Sequence, residues 1–155
     1  MLQEGKVEYG FGPHLMLDCY GCPTEKLGDV DFIFETLDKF PDKIEMTKLM
    51  PPYVFKYKGK VKDDWGVSGV VLIAESHITI HTFPEKQHAF VDIFSCKEFD
   101  AAQAAAYLIK LFEAKKHDIQ LLNRGMDFQR DVRQSVDIVG GDRRAFFERP
   151  RLTIN

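Results

Sequence analysis

Residues 66–96 carry three successive runs of strand character, and the rest of the chain has to be arranged around them. Val70–Ala74 is a continuous apolar stretch, the pattern of a strand covered on both faces. A β-branched segment follows, in which Ser76, Ile78 and Ile80 alternate with His77, Thr79 and His81 until Pro84 ends it. A third run, Ala89 to Phe94, leads into Cys96. These runs predict strands over 67–74, 77–82 and 89–95. Three serines, three histidines and a thiol are thereby gathered around one strand core.

Earlier in the chain, His14–Tyr20 alternates Leu15, Leu17 and Cys19 against His14, Met16 and Asp18, and reads as a first strand. Gly21-Cys22-Pro23 turns it, and Thr24 is placed to cap the next element. Leu27, Val30, Ile33, Phe34, Leu37 and Phe40 recur at helical spacing, which predicts an amphipathic helix over 25–40, closed by Pro41. Ile44–Leu49 and Tyr53–Tyr57 read as strands, followed by a charged loop with Gly59 at its tip. After the central block, Asp100 offers an N-cap to a helix over 101–116 whose stripe is Ala101, Ala104, Ala105, Leu108, Leu111 and Phe112. Ile119–Leu122 is a further strand and Arg124-Gly125 a turn. Residues 1–11 read as a loose lead-in, and from Asp127 the pattern dissolves, so 127–155 is expected to be a partly ordered tail or a partner-contact surface. The element order is α+β: a two-layer sandwich, mainly antiparallel, with helices on one face of the sheet and a single domain over 1–155.

With 155 residues and 45% hydrophobic content the chain is long enough for a real core. A net charge of −3 gives no basic footprint, which argues against nucleic acid as the main partner. No apolar stretch approaches a membrane span and the start lacks a signal-peptide layout. Three cysteines, an odd number, suit reduced thiols in a cytoplasm. Cys19-Tyr20-Gly21-Cys22 has metal or redox spacing, but no second pair or histidine cluster completes a zinc site, so no metal is expected.

Gly66-Val67-Ser68-Gly69-Val70-Val71, Glu75-Ser76-His77, Thr79-Ile80-His81-Thr82-Phe83-Pro84-Glu85 and Val91-Asp92-Ile93-Phe94-Ser95-Cys96 resemble the core of the short prokaryotic S-adenosylmethionine decarboxylases. Those are pyruvoyl-dependent enzymes made as a proenzyme, a zymogen that cuts itself. Gly12-Pro13-His14-Leu15 and Arg124-Gly125 extend the likeness over most of the chain; the residues after Gly125 stand outside it. The resemblance implies a carboxy-lyase that supplies the aminopropyl donor for spermidine synthesis. It implies a small-molecule substrate and two protomers pairing as a homodimer.

It also implies roles. Cleavage falls between Glu75 and Ser76, and the serine becomes a pyruvoyl group. That ketone takes up the substrate's amine and serves as electron sink in place of pyridoxal phosphate. Chemically, a serine hydroxyl reaches the carbonyl before it through a five-membered ring, given a strained or assisted backbone and a nearby base. His81 and Ser68 are the processing pair, one taking a proton and the other hydrogen-bonding the intermediate. Cys96 is the proton donor to the substrate carbon after carbon dioxide leaves. Glu85 binds ribose hydroxyls and Phe83 stacks on adenine. Read from the residues alone, these are a strand-edge serine, a rim histidine, a buried thiol, a turn glutamate and a core aromatic.

By strand alternation Ser76 and His81 face opposite ways, so a bend or break at Ser76 is expected if they are to meet. Relatives carry an aromatic shortly before the Gly-Val-Ser-Gly motif, where this chain has Lys60-Val61-Lys62-Asp63-Asp64-Trp65; Trp65 is the candidate substitute. The altered loop leaves arginine or ornithine as alternative substrates, paired with Asp63 or Asp64, and an unprocessed regulatory homologue as a third reading.

Overall fold

The computed structural model describes residues 7–131, which fall in two compact units: Gly12–Arg124, and residues 7–11 together with 125–131. In the larger unit six strands run β2 (Gly12–Tyr20), β3 (Tyr53–Lys58), β4 (Trp65–Ile73), β5 (Ser76–Phe83), β6 (His88–Ser95) and β7 (Lys116–Arg124). Their spatial order is β3-β4-β5-β6-β2-β7, and every neighbouring pair is antiparallel. In the smaller unit β1 (Val7–Tyr9) pairs antiparallel with β8 (Gln129–Asp131). There Gly125 takes φ +69°, and a β-carbon on it would lie 2.6 Å from that of Phe11, so only glycine fits. Phe11 in turn packs edge-on against Phe128 at 5.2 Å. The lead-in expected over 1–11 thus contributes a strand, and so does the start of the segment expected as a tail; the rest of that segment, 132–155, lies outside the described residues.

One face of the large sheet is covered by helices. Leu15, Leu17, Val67, Val71, Ile73, Ile78, Ile80, Val91 and Ile93 are buried there against Ile33, Leu37, Phe40, Ala104, Ala105, Leu108 and Phe112. Each fully buried side chain of this size contributes roughly 1.5–3 kcal/mol, so this layer holds the fold together. Gly69 lets the helix come close: a β-carbon on it would sit 2.6 Å from Leu37 Cδ1. The opposite face carries Met16, Asp18, Val70, Leu72, His77, Thr79, His81, Phe90, Asp92 and Phe94, by strand alternation and register. Leu72 is exposed on it, and no described helix packs there.

The helix expected over 25–40 is two pieces, α1 (Thr24–Leu27) and α2 (Val30–Lys43). Gly28 ends the first, and the Asp29 carboxylate caps the second by accepting the Asp31 and Phe32 amides at 2.9 and 3.3 Å. Thr24 does not act as the cap; its hydroxyl donates instead to the Pro84 carbonyl at 3.3 Å. Pro41 does not close α2 but is buried in its last turn, where its ring packs into the core.

The strand expected over 44–49 is absent as such. Ile44 and Met46 are buried below the helix end, and the segment's backbone pairs with the sheet at one bridge, Lys48 with Ile73. The last helix, α3 (Ala101–Leu111), stops short of residue 116 because Glu113 turns left-handed at φ 52° and the chain enters β7. No described helix is long and apolar enough to cross a membrane.

Candidate active site

The β4–β5 hairpin is closed by two residues, Ala74 and Glu75, between the paired Ile73 and Ser76. Ser76 therefore opens β5 opposite Ser95 of β6, and it does so at φ 131°. For a residue with a β-carbon this backbone costs on the order of 1–3 kcal/mol, and it persists only where the surroundings impose it. Those surroundings can be named. The Glu75 carbonyl accepts the backbone N–H of Cys96 at 3.2 Å, tying the hairpin to the end of β6. Ser95 is fully buried; its hydroxyl donates to Met46 Sδ at 3.5 Å and accepts the Lys97 amide at 2.9 Å. Gly12 of β2 lies hard against this turn, since a β-carbon there would collide with the Ser95 carbonyl and lie 2.9 Å from Cys96 Cα. Glu75, Ser76 and Cys96 are each partly exposed, so the junction is braced from below and open to solvent.

A second cluster lies farther along the same strands. Ser68 and His81 are register partners across β4 and β5, and Ser68 Oγ is 2.9 Å from His81 Nδ1. The serine is 8% exposed while the histidine ring is open to solvent, so a buried hydroxyl holds one side of an accessible base. Phe55 of β3 is the register partner of Ser68, and Phe90 of β6 that of His81. Phe83 packs on Phe90 at 5.6 Å, edge to face.

Trp65 is not beside Ser68. Three residues apart on one strand, the two point to opposite faces of the sheet, and the indole N–H donates to Glu85 Oε1 at 3.0 Å. The aromatics on the Ser68 side come instead from β3: Phe55 opposite Ser68, and Tyr57 opposite Gly66, whose β-carbon would sit 3.3 Å from the Tyr57 ring. Burial, then nearby Asp64, raises the Tyr57 phenol, which keeps its proton. Phe55 and Tyr57 are functional candidates that the motifs alone do not single out. Their signal is the aromatic-every-second-residue run Tyr53-Val54-Phe55-Lys56-Tyr57.

The backbone is distorted at Ser76, as expected, but this does not bring Ser76 to His81, because β5 pairs without interruption from Ser76 to Phe83. Within one protomer the two residues are about 17 Å apart along the strand, and Ser76 and Phe83 about 24 Å. The structure thus brings Glu75, Ser76 and Cys96 together at one end of the sheet. It brings Ser68, His81, Phe83, Phe55 and Tyr57 together toward the other, with the Trp65–Glu85 pair close by in sequence.

Between them on the open face, His14 Nε2 is 2.9 Å from Asp92 Oδ1 and Arg124 lies 4.2 Å over the Phe94 ring. Burial, then neighbouring His14 and Arg124, push the His77 imidazole below its ordinary value against the pull of Asp92. Cys19 and Cys22 are both fully buried; the hydrogen bond to Cys22 and burial push the Cys19 thiol up. Among the described residues no three His, Cys, Asp or Glu side chains converge as a metal site.

Residues 13–125 match the family model described as S-adenosylmethionine decarboxylase. A protein of Geobacillus kaustophilus named S-adenosylmethionine decarboxylase proenzyme is 38% identical over 115 residues, 74% of this chain and 88% of that protein. One of the same name from Pyrococcus abyssi is 34% identical over 117 residues, covering 75% of this chain and 80% of its own. Among solved structures, the adenosylmethionine decarboxylase of Aquifex aeolicus superimposes with a TM-score of 0.61 at 34% identity, over 76% of this chain and 92% of that one.

Proposed function

The chain belongs to the S-adenosylmethionine decarboxylase family, and from that premise we infer that it is a self-processing decarboxylase of S-adenosylmethionine, which provides the aminopropyl donor for spermidine synthesis. The observation that carries this reading is the Glu75–Ser76 junction: a serine at φ 131° whose preceding carbonyl already accepts a backbone N–H.

Cleavage can be derived from that geometry. The Ser76 hydroxyl attacks the Glu75 carbonyl carbon, and the oxygen that gains charge is the one held by the Cys96 amide. The C–N bond then breaks with the proton going to nitrogen, leaving an ester. Removal of the Ser76 Cα proton expels the Glu75 carboxylate and leaves dehydroalanine, which hydrolyses with loss of ammonia to a pyruvoyl group heading residues 76–155. His81 is the base for the elimination. In the tautomer whose Nδ1–H donates to Ser68 Oγ, Nε2 carries no proton and can accept one, and the histidine is exposed.

The pyruvoyl group supplies an electrophilic carbonyl for the substrate's amine and the electron sink for loss of carbon dioxide. Cys96, next to the junction, delivers the proton that replaces the lost carboxylate. Glu85 accepts hydrogen bonds from the ribose diol, and Phe83 with Phe55 or Tyr57 supplies faces for adenine.

Such a site needs two chains. Ser76 with Cys96, and His81 with Ser68, are too far apart in one protomer to serve one substrate. A two-fold pairing of open sheet faces, strands antiparallel, sets the Ser76 end of one protomer against the His81 end of its partner. We therefore place each site between two protomers of a homodimer. Reduced cysteines suit a cytoplasmic enzyme.

Release of labelled carbon dioxide from carboxyl-labelled S-adenosylmethionine, arginine and ornithine, measured side by side, tests the substrate. Turnover of S-adenosylmethionine alone is expected. Turnover of arginine or ornithine in its place would overturn the assignment.

A further inference from the structure

Trp65 ends the stretch in which this chain departs from its relatives, and contacts from β3 and the end of α1 immobilise it. It pairs with Lys58 at the loop end of the β3–β4 hairpin. The ring edge lies against Gly28 at the end of α1, where a β-carbon would come within 2.7 Å of Cη2. Lys56 Nζ lies 4.4 Å from the ring centroid, covering a face. What this fixed ring presents is one N–H, and that N–H donates to Glu85 Oε1 at 3.0 Å.

Glu85 itself sits in a short 3-10 turn, Pro84–Lys86, and is solvent-exposed. An exposed glutamate ordinarily samples several rotamers, and ordering one costs free energy at the moment of binding. Here α1 is a common wall for both partners. It holds the indole through Gly28, and it holds the glutamate's turn through the Thr24 hydroxyl on the Pro84 carbonyl. A carboxylate is acceptor-only and has two oxygens; with Oε1 engaged by the indole, Oε2 is left to accept a substrate hydroxyl. An exposed carboxylate does not need a protein partner for stability, so a rigid donor aimed at it suits selection of one rotamer.

We propose that Trp65 is a positioning residue that fixes the Glu85 carboxylate for recognition of the vicinal diol of the substrate's ribose. This rests on Glu85 being the diol ligand, as proposed above. Trp65→Phe keeps the ring against Gly28 and removes only the N–H. It should raise KM for S-adenosylmethionine about five- to tenfold, while kcat and self-cleavage stay within about twofold, as loss of one charge-assisted hydrogen bond at a partly exposed site implies. The preference for S-adenosylmethionine over its 2′,3′-dideoxy analogue should fall by a similar factor, and Trp65→Phe should add nothing in a Glu85→Gln background.

An unchanged preference in Trp65→Phe, with a lowered one in Glu85→Gln, would overturn the positioning role and leave Glu85 as the diol ligand. An unchanged preference in Glu85→Gln would overturn that assignment and the proposal with it. The chain has a single tryptophan, so the wild-type protein also reports directly. Its one indole N–H resonance should move on adding 5′-methylthioadenosine and stay in place with 2′,3′-dideoxyadenosine. Equal shifts with both nucleosides would contradict the proposal without any substitution.

Discussion

A Ser76→Ala chain is expected to remain in one piece, residues 1–155, and to show no measurable decarboxylation. The loss should be on the order of 10⁴-fold or more, the scale seen when a covalent catalytic group is removed. The side chain makes none of the contacts that define the core: Ser76 is partly exposed, and the core layer is built from Ile78, Ile80, Val91 and their partners. Folding should therefore survive, and alanine retains the steric problem of a β-carbon at positive φ, so the variant isolates the hydroxyl. Intact mass together with a urea midpoint close to wild type would separate loss of chemistry from loss of structure. Cleavage of the variant between residues 75 and 76 would rule out the serine as nucleophile.

Two chains that are inactive alone should rescue one another. Ser76→Ala lacks the nucleophile but keeps Ser68 and His81; His81→Ala lacks the base but keeps Ser76. If each site is shared across a two-fold axis, half of the dimers formed on coexpression are mixed. Each of those has one site with Ser76 from one chain and His81 from the other. Activity should then return to about a quarter of the wild-type level, and the His81→Ala chain alone should be cut. The expectation rests on distance: about 17 Å of continuous strand separates the two residues in one protomer. No recovery on coexpression, with each variant folded and dimeric, would place the whole site within one chain. Normal self-cleavage of His81→Ala by itself would remove that histidine from processing.

The central strands could be read from the residues because their apolar runs and alternation are uninterrupted; the roles proposed for Ser76, Ser68, His81 and Cys96 come from the family resemblance, not from that pattern. What escaped was long-range. The break between α1 and α2 sits inside an unbroken helical stripe, Leu27, Val30 and Ile33, and the structure sets Trp65 against Gly28 there. Ile44 and Met46 look like a strand's inward face and are instead buried below a helix end, because the segment's backbone pairs with the sheet at a single bridge. The partners β1 and β8 lie too far apart in the chain for local pattern to reveal them. In the site, whether Trp65 belongs to β4, and so faces away from Ser68, depends on where the β3–β4 loop closes. Closure between Gly59 and Asp64 sets Lys58 against Trp65 and Phe55 against Ser68. Composition around the loop does not determine that register, so a tryptophan near the motif looked like the stacking residue when the alternating aromatics of β3 line that face.

The most direct test is the intact mass of the purified protein after incubation with S-adenosylmethionine and cyanoborohydride, which fixes an amine covalently to a carbonyl. The account predicts two fragments, 1–75 and 76–155. The second should carry an adduct lighter than the whole substrate by one carbon dioxide, and incubation with arginine or ornithine should leave it unmodified. A single uncut chain, or fragments that trap only the basic amino acids, would contradict it.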